Sequence, residues 1–442
     1  MNQKSLILSR RSLTAVAGLI GASVALHGTP AQAQQSEIDI LRQQLIEMQA
    51  RLDKLEAGKV DVKAATPFVN SASKLAVTVS GLLQVQTNNY FSQDTSVGNA
   101  LSDSFRLRRG ELRLTGVITP RLTGSIMFDP AKTGAQRTVS TFTPAKAPAT
   151  GGTIVSTTTN NQANNPLQEL VLSYQIRTDK NSPAFVDLGQ YKIPVGYEGD
   201  LVSSGNIQTI ERALIFRETD NVGGLNSNNA GQGGGFGDRR EKGIRLRGSF
   251  GPQFDYQVGA FSGLSERQNT ATDLSDQKIP IARIVFKPES IKGLQLGVSG
   301  ANGTSRFAGT KIERSVYNGF VVYKKDKITA QTEYFTGKGT IGTAVETFKD
   351  VRAYYGSLGY LIRPRIELVG RYDSLKRDFQ TSPTTNNNKT NEITLGLNYY
   401  LKSNNAKAQV NLVRANNSFD KAPAGGFEGD NYALRTQFQV AF

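Results

Sequence analysis

The sequence predicts an all-β protein: a 16-stranded antiparallel transmembrane β-barrel with an inward-folded long loop, preceded by a short α-helical coiled coil. Three observations carry this prediction. The last strand alternates apolar and polar side chains up to a terminal aromatic residue, and the same alternation recurs along the chain. After the N-terminal segment, no stretch approaches the roughly 18 apolar residues that a spanning helix needs.

The final strand, residues 432–442, shows the alternation most clearly. One parity is occupied by Tyr432, Leu434, Thr436, Phe438, Val440 and Phe442, and the other by Ala433, Arg435, Gln437, Gln439 and Ala441. Successive side chains of a strand point to opposite faces, so one face is mostly apolar and the other polar. A strand of about ten residues between lipid and water is typical of an outer-membrane barrel.

Residues 1–33 are predicted to be a secretory signal peptide. Lys4, Arg10 and Arg11 precede an apolar run over about residues 13–26, and the A-x-A pattern ending at Ala33 fits a cleavage site. The mature chain then begins at Gln34, and the run is too short for a spanning helix. Secretion and the strand pattern together predict the outer membrane of a Gram-negative bacterium.

The composition argues against an enzyme. The chain has no cysteine, and its single histidine, His27, lies in the signal peptide. Disulfides, thiolate chemistry, Ser-His-Asp triads and zinc sites with His or Cys ligands are therefore excluded from the mature chain. A barrel hydrolase would need an unusual Ser-Lys or carboxylate site, and no spacing indicates one. We predict no catalytic residues, no metal and no cofactor.

Residues 34–57 are predicted to form a coiled-coil segment in the periplasm. Spacings of three and four separate its apolar residues, which are Ile38, Leu41, Leu45, Met48, Leu52 and Leu55. Three heptads are marginal alone, so we expect them to join identical subunits, with a single amphipathic helix lying on the barrel as the alternative. Residues 58–74 are then a linker, and residues 75–442 are the barrel.

Sixteen segments of the barrel region fit strands. They are 75–86, 105–118, 122–129, 167–177, 184–190, 242–250, 253–261, 278–287, 293–300, 314–323, 327–335, 351–362, 365–373, 392–401, 407–414 and 432–442. Several alternate cleanly, as in 170–176, where leucine, leucine, tyrosine and isoleucine share one face. An even number of strands places both chain ends of the barrel at the same end.

The connections between these segments alternate in length. Short turns are predicted at 119–121, 251–252, 324–326 and 363–364, and long loops at 130–166 and 381–390. The longest interruption, 191–241, has a Gly- and Asn-rich tip at 223–237. Because long irregular segments are uncommon without a function, we expect this loop to fold into the lumen and narrow it, with an ordinary surface loop as the alternative.

Five short motifs, in order along the chain, resemble the phosphate-selective porin O and P family. They are FRLRR at 105–109, GQYKIP at 189–194, ERAL at 211–214, GRYD at 370–373 and GLNYYL at 396–401. The resemblance covers about residue 75 to the end of the chain. It implies a sixteen-stranded outer-membrane channel that is trimeric and passes small anions.

The charge distribution is consistent with an anion path. The net charge is +15, and removing Lys4, Arg10 and Arg11 leaves +12 for the mature chain. Secretion argues against nucleic acid as the partner of this basic chain. The candidates for a pore constriction are Lys192, Arg212, Arg217, Arg239, Arg240, Arg245 and Arg247. The candidates for the lumen-facing wall are Arg109, Arg113, Arg283, Arg371 and Arg435, and bracing of the wall by cross-strand pairs is the alternative role.

We therefore predict a porin, a passive diffusion channel for small hydrophilic solutes with a modest preference for anions and with phosphate as one candidate. One alternative is a general or carbohydrate-passing porin, in which Tyr191 and Tyr197 would stack on sugars. Another is an envelope-tethering structural protein that contacts the cell wall through its coiled coil. The predicted partners are outer-membrane lipid, small solutes and two further copies of the chain.

Overall fold

The computed structural model describes residues 76–93, 103–132, 136–144, 152–160, 166–216, 240–264, 278–307, 310–341, 347–379, 388–419 and 429–442. The predicted signal peptide 1–33, coiled coil 34–57 and linker 58–74 lie outside the described residues, as do Arg217 and Arg239. Among the described residues, no helix is long and apolar enough to cross a membrane.

The described part of the chain is almost entirely strand. In chain order the strands are β1 (Ala76–Gln93), β2 (Ser104–Thr119), β3 (Leu122–Phe128), β4 (Gln136–Pro144), β5 (Gly152–Asn160), β6 (Leu167–Arg177), β7 (Ala184–Lys192), β8 (Arg240–Phe250), β9 (Phe254–Phe261), β10 (Ile279–Phe286), β11 (Leu294–Phe307), β12 (Thr310–Lys325), β13 (Ile328–Ile341), β14 (Thr347–Arg363), β15 (Ile366–Phe379), β16 (Asn388–Lys402), β17 (Ala406–Phe419) and β18 (Gly429–Ala441).

Sixteen of these strands close into one antiparallel barrel, as predicted. Each pairs with its neighbour in the chain, β3 pairs with β6, and β1 pairs with β18 to complete the ring. Closure removes the unpaired edge strands that hydrocarbon does not tolerate. The remaining two strands, β4 and β5, form a separate hairpin between β3 and β6. This region was expected to be an irregular loop, but its two runs rich in Thr and Val favour strand.

The outer face of the barrel is apolar. The residues at 170, 172, 174 and 176 of β6 are each close to half exposed, as their predicted common face requires. On β18, Phe438 is exposed whereas Arg435 and Gln439 are buried inside. The sequence alternation of the last strand therefore does separate a lipid-facing side from a lumen-facing side.

The two ends of the barrel differ in their connections. Short turns join β2 to β3, β8 to β9, β12 to β13 and β14 to β15, at the four predicted places. The start of β1 and the end of β18 lie at this same end, because Gly81 and Phe442 exchange backbone hydrogen bonds. We refer to it as the short-turn end, and to the opposite one as the long-loop end.

The segment 193–216, which we name the inner loop, lies inside the barrel. It contains one turn of π-helix (Tyr197–Leu201) and two short 3₁₀ turns (Ser204–Asn206 and Leu214–Phe216). Three quarters of its residues are buried, although it is irregular in structure. The predicted inward fold of the long loop is confirmed for this described part.

An apolar core inside the barrel holds the two ends of the inner loop. Ile193 and Val195 at one end, and Leu214, Ile215 and Phe216 at the other, are completely or almost completely buried. They pack against wall residues that face inward, which are Ile279, Ile281, Ala301, Val316, Phe335, Val351, Ala353 and Leu375. The sequence suggested a wet lumen with an apolar exterior only. Part of the lumen is instead a dry core, because the loop needs an apolar surface on which to dock.

Candidate pore constriction

Polar contacts fix the rest of the inner loop to the wall from β10 round to β1. The backbone N–H groups of Tyr197 and Glu198 donate to Glu333 on β13 at 2.7 and 2.8 Å, and that of Leu214 donates to Asp373 on β15 at 2.7 Å. The wall also donates to the loop, as when Lys407 Nζ on β17 binds the carbonyl of Ile207 at 2.8 Å. Since buried backbone groups need partners, these wall side chains replace the ladder that the irregular loop lacks.

Gly196 lies where the inner loop turns against the wall. Its φ is +78°, and a Cβ there would lie 2.9 Å from both Glu333 Oε2 and the Phe335 ring. Gly251, in a short turn, has φ +63° but open space around it. We expect Gly196→Ala to loosen loop docking by about 2 to 3 kcal/mol and Gly251→Ala to cost only the left-handed strain of about 1 kcal/mol. Hydrogen exchange of the loop amides and thermal unfolding measure the two effects, and equal values would contradict the fit described for Gly196.

Glu211 fastens the inner loop to β2. Its carboxylate accepts from Arg106 at 2.6 Å and from Arg108 at 2.9 Å, and it is 2% exposed. Burial alone would raise the pKa of Glu211, but Arg108 and Arg106 hold the pKa well below its ordinary value. The carboxylate therefore stays ionised within the lumen and joins β2 to a loop that starts three strands away around the barrel.

A β-bulge places these two arginines inside. Gln84 of β1 pairs with Arg109, but the next residue, Val85, pairs with Leu107, so Arg108 is the extra residue. The bulge switches which alternate residues of β2 point inward. Before the bulge the inward-facing arginine is Arg106, followed by Arg108 at the bulge itself. After it, Arg109 and Arg113 face the lumen. Sequence parity assigned only Arg109 and Arg113 to the lumen. The sequence signal for the bulge is the pair of consecutive arginines at 108 and 109. In a regular strand one of the two would face lipid.

Three of the predicted wall arginines lie beneath the inner loop. Arg283 is paired with Asp200, and Arg371 donates to Thr209 Oγ1 at 2.7 Å and to the carbonyl of Arg212 at 3.0 Å. Arg435 lies 3.8 Å from Glu392. Each of the three side chains is 2% exposed, so these arginines hold the loop and are shielded from a passing solute. We name the wall of β10–β18 and β1, with the loop on it, the filled sector.

The opposite wall, β2, β3 and β6–β9, forms what we name the open sector, where arginines share carboxylates in pairs. Glu169 on β6 accepts from Arg113 at 2.6 Å and lies 3.4 Å from Arg240. Asp187 on β7 accepts from Arg245 at 2.8 Å and from Arg247 at 2.6 Å. With Glu211, three carboxylates are each bound by two guanidinium groups.

Exposure shows where water reaches the lumen wall. The side chains of Arg113 and Arg247 are 36% and 34% exposed, although both are paired. A cavity of about 230 Å³ lies between the inner loop at Ser203 and the wall at Glu111 and Arg113. Among the described residues, water therefore reaches the lumen wall between the loop and the open sector.

The other constriction candidates have varied surroundings. Lys192 donates to the carbonyl of Gly199 at 3.0 Å, and Arg240 is almost wholly buried beside Glu169. Arg212 is buried within the loop and donates to the carbonyls of Glu198 and Val202, so it braces the loop's own backbone. The structure brings Arg240, Arg245 and Arg247 together on β8 and places Arg212 in the filled sector; Arg217 and Arg239 are not among the described residues.

Of the two tyrosines considered for sugar stacking, Tyr191 is buried and Tyr197 is half-buried. Tyr191 is 2% exposed, with the Arg245 guanidinium 4.1 Å above its ring and Phe261 against its edge. Tyr197 packs on Phe320 at 5.5 Å between ring centroids. Burial, with Glu333 and Glu198 nearby, raises the pKa of Tyr197 to about 12, so this ring stays neutral.

Comparison with known proteins agrees with this geometry. The fold is similar to the outer membrane channel DcaP of Acinetobacter baumannii, with 13% identity, 86% of this chain and 100% of that chain covered, and a TM-score of 0.54. It is also similar to the anion-selective porin from Comamonas acidovorans, with 14% identity, 83% and 100% covered, and a TM-score of 0.54. At such identities the likeness concerns the fold alone, and no curated protein sequence matches.

The family assignment comes from a separate comparison. The model of the family described as phosphate-selective porin O and P matches residues 77–442, which is the whole barrel. The five motifs noted above lie within the matched residues. The chain belongs to the phosphate-selective porin O and P family and is an outer-membrane porin channel.

Proposed function

We propose that this channel passes small hydrophilic solutes by passive diffusion with a modest preference for anions, phosphate among them. The observation that carries the proposal is the surplus of arginine along the open sector. Six arginines share three carboxylates there, a formal surplus of +3 on the side where the passage runs. Adding the neighbouring Arg109, Lys192, Glu111, Glu241 and Asp129 leaves a surplus of +2.

The filled sector carries the opposite balance. Five buried cations among its described residues face six carboxylates, a formal balance of −1; the cations are Arg212, Arg283, Arg371, Arg435 and Lys407, and the carboxylates are Glu198, Asp200, Glu333, Glu367, Asp373 and Glu392. The acidic surplus is buried under the loop, and the basic surplus is accessible to water. A solute in the passage therefore experiences the arginine side more strongly, and exposed charge of this kind is screened by salt.

Reversal potentials of single channels in a potassium chloride gradient test the proposal. We expect chloride to be preferred over potassium, and the preference to decline between about 0.1 M and 1 M salt as the Debye length shortens from about 10 to 3 Å. Conductance in phosphate against chloride then ranks the two anions. Cation preference at low salt would overturn the proposal.

The same channel in a carbohydrate-passing form is disfavoured by the buried ring of Tyr191 and by the packing of Tyr197 on Phe320. Liposome swelling with sugars separates the two functions. Fast swelling with disaccharides, together with no ion preference, would favour the carbohydrate form.

We also propose that three copies assemble, with residues 34–57 in the periplasm as a coiled coil that brings the subunits together and contacts the cell wall. The heptad spacing of Leu41, Leu45, Leu52 and Leu55 supports this proposal. Deleting residues 36–57 is expected to lower the temperature at which the oligomer separates on a gel. An unchanged temperature would contradict a stabilising role, and unchanged envelope integrity would contradict the tether.

A further inference from the structure

A groove lies on the lipid-facing surface at the long-loop ends of β6–β10. Its volume is about 680 Å³, and its apolar walls include Leu170, Leu188 and Ile244, all close to half exposed. Its floor is formed in part by Ala260, which pairs with Ile244 on one side and with Pro280 on the other. The short alanine side chain lies between larger neighbours and leaves a depression there.

Polar side chains line the end of this groove that is nearer the loops. Gln190 and Lys242 are paired across β7 and β8, and Ser262 continues the row by donating its N–H to the carbonyl of Lys242 at 2.9 Å. Lys278 completes the row, with Nζ 3.3 Å from Ser262 Oγ. Two lysines thus flank a hydroxyl at one end of an apolar groove. Inward-facing groups such as Asp187 and Arg245 are on the other face of the same strands.

We propose that this groove is a binding site for a lipid with a phosphorylated headgroup in the leaflet at the long-loop end. An acyl chain would lie along Leu188, Ala260 and Ile244, and the phosphate would be bound by Lys242 and Lys278. Charge complementarity carries the choice of occupant. Lysines at a membrane interface extend their ammonium groups to the headgroup level, where each attracts anionic lipid by about 1 kcal/mol.

The test is lipid binding to the purified mature chain in neutral detergent, measured by native mass spectrometry. Dilauroyl phosphatidic acid, dilauroylglycerol and inorganic phosphate are the three probes. We expect the phosphatidic acid to bind at least about 25-fold more tightly than dilauroylglycerol, about fivefold for each lysine. Inorganic phosphate should not compete at millimolar concentration, because it lacks the acyl chains. Equal retention of the two lipids, or displacement by free phosphate, would overturn the proposal.

Variants locate the site. Lys242→Gln with Lys278→Gln should remove the preference for the phosphorylated lipid, and Ala260→Leu should weaken both lipids by filling the groove. The matched control is Lys324→Gln with Lys325→Gln, which removes two exposed lysines from the short-turn end and should change nothing. Heat-modifiable migration on a gel verifies that each variant forms the barrel. Unaltered phosphatidic acid binding by a folded Lys242→Gln, Lys278→Gln variant would overturn the proposal. It would show that the measured lipid binds non-specifically to the barrel surface.

Discussion

Glu211→Gln is expected to release the inner loop from β2. The substitution keeps the shape of the side chain but removes the charge that binds Arg106 and Arg108 at 2.6 and 2.9 Å. Breaking a fully buried ion pair costs about 3 to 5 kcal/mol, but these arginines are 30% and 23% exposed and regain water. We therefore expect loop docking to weaken by about 2 kcal/mol, seen as faster hydrogen exchange over 196–214 and larger current fluctuations in single channels.

The control for this variant is Glu111→Gln. Glu111 is on β2, faces the same lumen and lies 3.6 Å from Arg109, and this ion pair does not involve the loop. Both variants remove one negative charge, so ion preference should shift similarly in both. Loop exchange should change in Glu211→Gln alone, and equal exchange in the two variants would show that Glu211 does not fasten the loop.

Acidity should have the same effect as Glu211→Gln, but only at low pH. The folded-state pKa of Glu211 is lowered, so the stabilisation is complete above the ordinary value of 4.5 and is lost as the pH falls through the lower folded value. Exchange of the amides at 211–213, beside the Glu211 carboxylate, should therefore be unchanged between pH 7 and pH 5 once its intrinsic pH dependence is corrected for. Loosening within that interval would assign the fastening to a different group.

The double variant Arg113→Gln, Arg247→Gln is expected to abolish most of the anion preference. These side chains are the most exposed of the six paired arginines, and a charge about 10 Å from an ion in a water-like medium contributes about 0.4 kcal/mol. Each loss lowers anion occupancy and raises cation occupancy by about twofold. Two such losses should lower the chloride-to-potassium permeability ratio by up to about 16-fold at low salt, as measured by reversal potentials.

Arg414→Gln is the matched control for that measurement. Arg414 is 50% exposed and is paired with Asp430, at 2.8 Å, on the outer side of the wall. It therefore has the same chemistry and similar exposure without facing the passage. If Arg414→Gln lowered the permeability ratio as much as the double variant, total charge and not the open sector would set the preference.

Period-two alternation was sufficient to predict sixteen strands and the side of each that meets lipid, because a water-to-lipid boundary imposes it on every crossing. The alternation was not sufficient to predict which side chains line the lumen or what they contact. The bulge at Arg108 depends on how β1 pairs with β2, which no property of β2 alone reveals. Val316 and Phe335 are inward-facing but apolar, because their partner is a loop from elsewhere in the chain. The paired surroundings of Arg245 and Arg247 likewise required the register that brings Asp187 beside them.

The dry core beneath the inner loop has a consequence for how such a channel changes over evolutionary time. The side chains of Ile281, Val316 and Phe335 are constrained by folding. A polar replacement there would detach the loop and change the width of the whole lumen. Arg113 and Arg247 are constrained instead by the solute that passes, because their loss leaves the shape of the lumen intact. Substitutions in the open sector can therefore change solute preference during evolution, while the filled sector keeps the width of the lumen constant.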